Sequence, residues 1–549
     1  MIELIEMGDF MKLYQDSKKI IIHQSEEFFL SPKELLETAM FKEVLSEYYQ
    51  TTITFVKEET LFSIYEQIVL NDAYLKELPN HIKEEVFNLT EGFYDYWRKK
   101  EKYLIFKDGP LLEASNTFND VIIKTYRLIT EGLSGKKNNV YRQLSAGFNV
   151  VLNHVSTSLF EGELSHLNDV ICLNQMVIRP PFVIRTKSNT RKGLFKETSV
   201  NLFKEVKDIK GFFMMPIKVG RELALVYVKD KYLHHGISLS SLFEMADTKE
   251  LYTLKPSLMI FFGVTDSTYD NHYYIDEKKG YYVGIVSDLE KNDYFGYMKK
   301  MLLTLHNLKK INEGCLPIHG AMAKITFNNH QQKYIMMVGD SGAGKSETLE
   351  ALGNLGEGKI KSFDIIFDDM GYLLEEDNII RASGTEIGAF VRIDDLDDGY
   401  IYREFDRSIF LNPERHNARL IIPVSRYGFI KRAHPIDMVL YINNYSMDDQ
   451  ILSRFSSLIE AKDVFLSGKR MAKGTTDEKG LVESFFSNPF GPVQKEMTTR
   501  FLVDQYFEAL DKQGVYLGVL NTKLGVAGFE EEGPKIAANA LLDYFNDKA

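Results

Sequence analysis

Cysteine is scarce in this sequence, with only Cys172 and Cys315 among 549 residues. Two thiols cannot crosslink a chain of this length, so a disulfide-stapled scaffold is excluded and a reducing compartment is favoured. Long apolar runs are also missing, because no stretch approaches the roughly 18 apolar residues that a membrane span requires. The first residues are acidic where a signal peptide would be basic. We therefore predict a cytoplasmic protein without a membrane partner.

An excess of positive charge is missing as well. The sequence has 66 lysines and arginines against 78 aspartates and glutamates, for a formal net charge of -12. This balance disfavours a surface that coats nucleic acid, and we expect no nucleic-acid partner. With 44% hydrophobic and 26% charged residues the composition is that of a globular protein. A chain of this length exceeds what one hydrophobic core supports, so two or three domains are expected.

The pattern of apolar residues changes twice along the chain. Ser31-Pro32-Lys-Glu34 has the form of a capping box, and apolar residues recur at helical spacing from Leu35 to Tyr48. Short β-rich runs such as Leu223–Val228 replace this pattern later. We predict an α/β fold with two mixed lobes and a helical N-terminal region. The predicted boundaries are 1–170 for the helical region, 171–312 for the first lobe and 313–549 for a phosphate-binding lobe.

One segment carries the pattern of a phosphate-binding P-loop. It reads Gly339-Asp340-Ser341-Gly342-Ala343-Gly344-Lys345-Ser346-Glu347, after the strand-like run Tyr334–Val338 and before a helical pattern. Glycines allow backbone amides to turn toward phosphate oxygens, and the helix N-terminus adds its dipole. Lys345 would neutralise phosphate charge, and Ser346 would ligate a metal ion. The sequence therefore predicts a site for a nucleotide or a similar phosphoryl donor.

Metal-ligand residue types flank this loop. Asp368 and Asp369 follow the apolar run Ile365–Phe367, which places two carboxylates at the end of a predicted strand. His319 lies just before the strand that leads into the P-loop. Paired acids near a P-loop can hold a divalent metal and its water shell, as phosphoryl transfer requires.

Two related families place a histidine before the P-loop and an acidic pair after it. One is phosphoenolpyruvate carboxykinase, and the other is the kinase/phosphorylase of the phosphocarrier protein HPr. The loop itself, through Glu347-Thr348, is more similar to the HPr kinase, whereas the wider pattern resembles the carboxykinase.

The wider pattern consists of short motifs in the carboxykinase order. Tyr294-Phe-Gly-Tyr-Met-Lys299-Lys300 resembles the family segment Tyr-Gly-Gly-Glu-Met-Lys-Lys, and Glu386-Ile-Gly-Ala-Phe-Val-Arg392 resembles Glu-Gly-Gly-Cys-Tyr-Ala-Lys. His416-Asn-Ala-Arg419 resembles Glu-Asn-Thr-Arg, and Phe465–Gly468 and Leu520–Thr522 also have counterparts. The resemblance covers about residues 280–540.

The resemblance implies roles for individual residues. The implied ligands of a catalytic Mn²⁺ are Lys300, His319 and Asp369. Ser346 and Asp368 would serve a nucleotide-bound Mg²⁺. The implied catalytic cations are Lys299, Lys345, Arg419 and Arg392, the last at a position where the family has lysine. The implied substrate-binding residues are Tyr294, Glu386 and, from the nearest basic cluster, Arg191.

The implied reaction converts oxaloacetate and a phosphoryl donor to phosphoenolpyruvate and carbon dioxide, the combined lyase and kinase activity of gluconeogenesis. ATP, GTP and pyrophosphate all stay open as the donor, and the oligomeric state is not predicted. One alternative is a kinase that acts on a protein, like the HPr kinase, or on another small molecule. A second alternative is a non-catalytic regulator that senses nucleotide and uses the helical N-terminal region as a binding arm.

Overall fold

The computed structural model describes most of the chain, in two compact units, Met1–Phe182 and Val183–Ala549. The described residues are 19–24, 31–70, 78–107, 111–135, 145–265, 267–340, 342–356, 358–396, 404–472 and 480–546. Within them, no helix is both long enough and apolar enough to cross a membrane. The predicted mixed α/β character is confirmed, because helices and several mixed sheets alternate along the chain.

The first unit is built on helices and on a sheet that the sequence pattern did not predict. Its helices are α1 (Pro32–Glu37), α2 (Ala39–Gln50), α3 (Glu58–Leu70), α4 (Asn80–Lys99) and α5 (Leu111–Ser134). Its strands pair in the order β1 (Lys19–Gln24), β2 (Glu101–Lys107), β3 (Val150–Val155) and β4 (Ile171–Ile178). The capping box at Ser31 is present, since the Glu34 amide donates to the Ser31 hydroxyl and the Glu34 carboxylate accepts from the Ser31 amide. Trp97 packs against Phe118 in the core and donates its indole N–H to the Ala146 carbonyl, 3.0 Å away.

The second unit begins with a mixed sheet of parallel and antiparallel strands. Its early strands are β5 (Phe182–Ile184), β6 (Lys196–Glu197), β7 (Phe212–Val219), β8 (Glu222–Lys229), β9 (Glu244–Met245), β10 (Pro256–Val264), β11 (His272–Asp276) and β12 (Tyr281–Ser287). The sheet order is β7-β8-β10-β12-β11-β6, and β9 pairs with β7. Its helices are α6 (Leu233–Leu239), α7 (Thr248–Thr253) and α8 (Phe295–Asn312). Helix α8 lies close to the sheet, because a Cβ on Gly284 of β12 would meet Met301 at 2.7 Å.

A second sheet in this unit carries the predicted P-loop. Its strands are β13 (Leu316–Phe327), β14 (Gln332–Val338), β15 (Ile360–Phe367), β16 (Met370–Glu376), β17 (Ile379–Gly384), β21 (Met438–Asn443), β22 (Leu452–Arg454) and β25 (Tyr516–Asn521). The order is β17-β16-β13-β14-β21-β25-β22, and β15 also pairs with β13. Strands β14, β21 and β25 are parallel, and the loop leaves β14 at the edge where all three end. That edge is where open α/β sheets usually bind ligands.

The remaining elements surround this sheet. Two smaller sets of strands are β18 (Gly388–Arg392), β19 (Ile409–Leu411) and β20 (Arg419–Pro423), and the hairpin β23 (Lys469–Met471) with β24 (Leu481–Glu483). The later helices are α9 (Lys345–Leu355), α10 (Tyr427–Ile430), α11 (Leu458–Ser467), α12 (Glu496–Lys512) and α13 (Glu532–Asn546). Short 3-10 turns cover Gly162–Asp169, Leu202–Lys204, Asp230–Tyr232, Glu290–Asn292, Ile393–Asp395, Phe405–Arg407 and Phe485–Ser487.

Substitution of two glycines, one in the second sheet and one on helix α9, tests the packing around this sheet. A Cβ on Gly320 of β13 would lie 2.3 Å from the Met337 carbonyl oxygen of β14, so the strands would have to separate. We expect Gly320→Ala to lower the free energy of unfolding by about 1–3 kcal/mol. Gly353, exposed on α9, has open space around the added methyl group. Gly353→Ala should stabilise the protein by about 0.5–1 kcal/mol, because alanine is the better helix former. Thermal unfolding of both variants checks this, and equal effects would contradict the packing described.

Candidate functional site

Three elements of the second unit bring the predicted metal ligands together. Strand β13 pairs with β16 so that His319 lies opposite Met370, which brings the preceding residue, Asp369, beside the histidine. The Asp369 carbonyl also accepts the Gly320 amide at 3.0 Å. Helix α8 supplies Lys300, whose Nζ is 2.6 Å from Asp369 Oδ2, and His319 Nε2 is 3.0 Å from Asp369 Oδ1. Lys300 and His319 thus both contact the carboxylate of Asp369, although the three residues are far apart in sequence.

Lys299 is the second cation at this carboxylate. Its side chain is 1% exposed, and its Nζ lies 2.7 Å from Asp369 Oδ2 and 3.1 Å from Glu386 Oε1. Burial opposes its charge, but Asp369 and Glu386 outweigh burial and raise the pKa of Lys299. Burial raises the pKa of Glu386 to about 7. Glu386 is therefore a buried partner of Lys299, rather than a group that faces solvent.

Burial shifts both His319 and Lys300 toward their neutral forms, although Asp369 opposes the shift at each of them. The His319 Nδ1 donates to the Ser487 carbonyl at 2.6 Å, which leaves the Nε2 lone pair facing Asp369. Burial lowers the pKa of His319, and the charge of Lys345 acts in the same direction. Burial also lowers the pKa of Lys300 to about 8. A neutral imidazole and a neutral amine are the forms that bind metal ions.

The loop after β14 has the backbone that a phosphate cradle requires. Gly342 and Gly344 adopt positive φ angles of 78° and 101°, and helix α9 begins at Lys345. A Cβ on Gly344 would meet the Thr522 hydroxyl at 2.8 Å, so only glycine fits there. The Thr522 hydroxyl donates to the Ala343 carbonyl, and the Asn444 amide donates to the Gly342 carbonyl. Ser341 lies outside the described residues.

The charged groups of this loop connect it to the metal ligands. Lys345 donates to the Asp340 carbonyl at 3.0 Å, while the Asp340 carboxylate accepts from Arg470 Nε at 2.9 Å and lies 3.6 Å from His319 Nδ1. Glu347 lies in the first turn of α9, together with Ser346. The Ser346 hydroxyl donates to Asp368 Oδ1 at 2.9 Å. Burial raises the pKa of Asp368 to about 6, whereas the pKa of Asp369 is held well below its usual range by Lys299 and Lys300 despite burial.

Two phenylalanine rings each lie near one lysine of the cluster and one predicted arginine. The Phe490 ring lies 4.6 Å from Lys300 Nζ and 5.0 Å from the Arg191 guanidinium carbon. The Phe390 ring lies 5.4 Å from Lys299 Nζ and 5.3 Å from the Arg419 guanidinium carbon.

Strand pairing positions Arg392, and ring packing positions Tyr294. Arg392 on β18 is directly opposite Arg419 on β20, and it forms an ion pair with Asp394 at 3.2 Å. Tyr294 is buried, and its ring centroid is 6.3 Å from that of Phe390. The predicted residues named above therefore lie close to one another in the second unit, and the Gly339 amide donates to the His319 carbonyl at 3.1 Å.

Several contributors were not predicted from the sequence. Phe390 lies inside a motif that was recognised only for its charged ends, and Arg470 is the second residue after the quoted motif Phe465–Gly468. Phe490 and the Ser487 carbonyl belong to the segment Ser487-Asn-Pro-Phe490, whose residue types give no signal for a site. Their contribution depends on packing, which a residue pattern does not reveal.

Removal of one carboxylate tests whether this cluster holds the structure together. In Asp369→Asn, the buried ammonium of Lys299 and the amine of Lys300 lose their shared partner, so we expect a loss of roughly 3 kcal/mol in the free energy of unfolding. Asp364→Asn on the neighbouring strand β15 is the matched control, since its carboxylate bonds only to the exposed Ser362 among the described residues. Thermal unfolding should separate the two variants clearly. Equal stability would show that the cluster contributes nothing.

The sequence was compared with protein-family models and with curated proteins. No protein-family model matches the sequence, and no curated protein matches it. The resemblance to phosphoenolpyruvate carboxykinases therefore rests on the short sequence motifs quoted above. The activity that it implies stays a prediction.

Proposed function

We propose that this protein is a phosphoenolpyruvate carboxykinase-like enzyme, which decarboxylates oxaloacetate and transfers a phosphoryl group to the product. The observation that carries the proposal is the pair of adjacent carboxylates, Asp368 and Asp369. The first accepts from Ser346 at the start of α9, and the second meets Lys299, Lys300 and His319. A phosphate cradle and a cluster of metal-ligand side chains are thus joined through consecutive residues.

The residues present fit a transition metal at Asp369. The His319 Nε2 lone pair and the Asp369 Oδ1 face each other at 3.0 Å, an arrangement that requires a proton or a cation between them. Lys300 Nζ, whose pKa burial lowers to about 8, would complete a set of two nitrogens and one oxygen once it loses its proton. Mn²⁺ held by these three residues would supply a Lewis acid that stabilises negative charge on the substrate oxygen.

A second cation fits the other carboxylate. The Ser346 hydroxyl and Asp368 provide the oxygen ligands typical of Mg²⁺ beside bound phosphates. Helix α9 begins at Lys345, and the N-terminus of a helix is a favourable position for a phosphate group. Lys345 would move from the Asp340 carbonyl to phosphate oxygens.

The remaining cations of the cluster suit an anionic substrate. Lys299 stays protonated between two acids, so it would stabilise charge that develops during phosphoryl transfer. Arg419 has no ion-pair partner within the described residues, and only its contact with Phe390 holds the guanidinium. We assign Arg419 and Arg191 to the carboxylates of oxaloacetate, with Arg392 and Tyr294 beside them. Arginine suits this role, because its planar group binds a carboxylate with two parallel hydrogen bonds.

A donor screen tests the reaction. Purified protein should form phosphoenolpyruvate from oxaloacetate when Mn²⁺ and Mg²⁺ are present together with one donor. ATP, GTP and pyrophosphate are compared in parallel. Ser346→Ala should lower kcat/KM by at least about tenfold with the effective donor, because a metal ligand is lost. Ser362→Ala, which removes an exposed hydroxyl of β15, is the control. No product with any donor would overturn the proposal.

Lys300 distinguishes this enzyme from a protein kinase that uses the same loop. Lys300→Ala should reduce Mn²⁺-dependent turnover by at least about 100-fold and weaken Mn²⁺ binding, since one of three ligands is lost. Asp369 keeps Lys299 and His319 in this variant, so the fold should persist. Lys309→Ala is matched to it, because Lys309 lies on the same helix and pairs with Glu222 and Glu313 away from the site. A Lys300→Ala protein that retains full activity would contradict the assignment.

A further inference from the structure

A second cluster of metal-ligand side chains lies apart from Asp369 in the same unit. It comprises His234, His235 and Asp293, whose ligand atoms all lie within 4.8 Å of one another. The two histidines follow each other on α6, where their ring centroids are 4.1 Å apart. Asp293 belongs to the loop before α8. The two histidine side chains are 2% and 0% exposed, and Asp293 is 12% exposed, so the cluster is nearly dry.

The distances match those of a tetrahedral site. His235 Nε2 is 2.9 Å and His234 Nε2 is 3.6 Å from Asp293 Oδ1. Ligands bound to Zn²⁺ at about 2.0–2.1 Å in tetrahedral geometry are separated from one another by about 3.3 Å. The two observed separations lie on either side of that value. Shifts of a few tenths of an ångström would therefore bring each histidine nitrogen to the tetrahedral separation from Asp293 Oδ1.

The negative charge of Asp293 has to be balanced by the other residues of the cluster. Among the described residues, both ion pairs of Asp293 are with these histidines, and neither a lysine nor an arginine pairs with it. Aromatic rings line the histidine side, with Tyr232 stacked 6.1 Å from His235 and Phe262 packed edge-on at 5.5 Å. A buried carboxylate is costly unless it is paired or bound to a metal. Two imidazoles and one carboxylate form a ligand set that suits zinc better than Mg²⁺ or Ca²⁺.

We propose that His234, His235 and Asp293 bind one Zn²⁺ ion, with a water molecule as the fourth ligand, at a site that shares no residue with the catalytic cluster. Asp293 would bind the ion through Oδ1, because its Oδ2 already accepts the Lys187 amide at 2.8 Å. The Asp293 carbonyl also accepts the Ser188 amide at 3.2 Å. The ion would thereby fix the start of the segment that leads to Arg191.

This connection gives the zinc site an effect on the substrate, a step that rests on the proposed function. Arg191 lies three residues after Ser188 and contacts Phe490, the ring that also holds Lys300. Loss of the zinc would release the anchored segment and misplace the guanidinium. KM for oxaloacetate should then rise by about tenfold, with a smaller change in kcat.

Metal stoichiometry tests the site without any assay of activity. Full-length protein is stripped with a chelator, loaded with ZnCl₂, freed of excess metal by gel filtration and analysed by mass spectrometry for zinc. Wild type should retain about two zinc ions per chain, one at each cluster. His234→Gln and Asp293→Asn should retain about one, and so should His319→Gln, which disrupts only the catalytic cluster. His272→Gln, a half-buried histidine on β11 away from both clusters, should retain both.

The different variants distinguish a failure of the zinc proposal from a failure of the proposed function. Equal zinc content in wild type, His234→Gln and Asp293→Asn would overturn the proposed zinc site. Equal content in wild type and His319→Gln would instead count against the catalytic metal. If the His234→Gln and Asp293→Asn proteins do not fold, the His319→Gln protein provides the test, because the zinc proposal requires it to bind about one zinc ion. Loading the same protein with Co²⁺ should then give the intense visible absorption of a four-coordinate ion, and no zinc and no such absorption would refute the site.

Discussion

The Asp369 carboxylate is largely shielded from water, and the cations around it stabilise its charge. Lys299 and Lys300 share one oxygen, and His319 lies against the other. This requirement fixes three elements relative to one another: α8 must present consecutive lysines, and β13 must pair with β16 in the register that brings His319 beside the carboxylate. The residue after His319 on β13 is Gly320, where the close approach of β14 leaves no room for a side chain.

Asp368 and Asp369 show how neighbouring residues of one type acquire different properties. Asp369 is surrounded by charge and keeps a low pKa, whereas the partner of Asp368 is the neutral hydroxyl of Ser346, and burial raises its pKa. Groups with pKa values driven apart by their environment often divide the work of a site. Here the division matches position, because Asp368 faces the phosphate loop and Asp369 faces the lysines of α8.

The sequence predicted the site better than the surrounding fold. His319 and Asp369 were recognisable because ligand chemistry restricts which residue types can serve, and the glycines of the loop because a positive φ restricts them too. The paired lysines Lys299 and Lys300 were recognised only through the resemblance to a known family. Phe390 and Phe490 were not recognisable, since a ring that supports a cation looks like any core residue in sequence. The strands of the first unit were also missed. Strand β2 is seven residues long and follows a 20-residue helix directly, so the helical pattern of α4 dominated the interpretation of that region.

The pairing of β18 with β20 strengthens the case for an anionic ligand. It places Arg392 directly opposite Arg419, and like charges in that position repel one another. Asp394 offsets one of the two charges, while Phe390 offers Arg419 only its ring. A fold that needed these residues for stability alone would gain from a neutral side chain at either position. The uncompensated charge is instead useful to a site that binds a carboxylate or a phosphate, because an anion between the two strands would replace repulsion with two attractions.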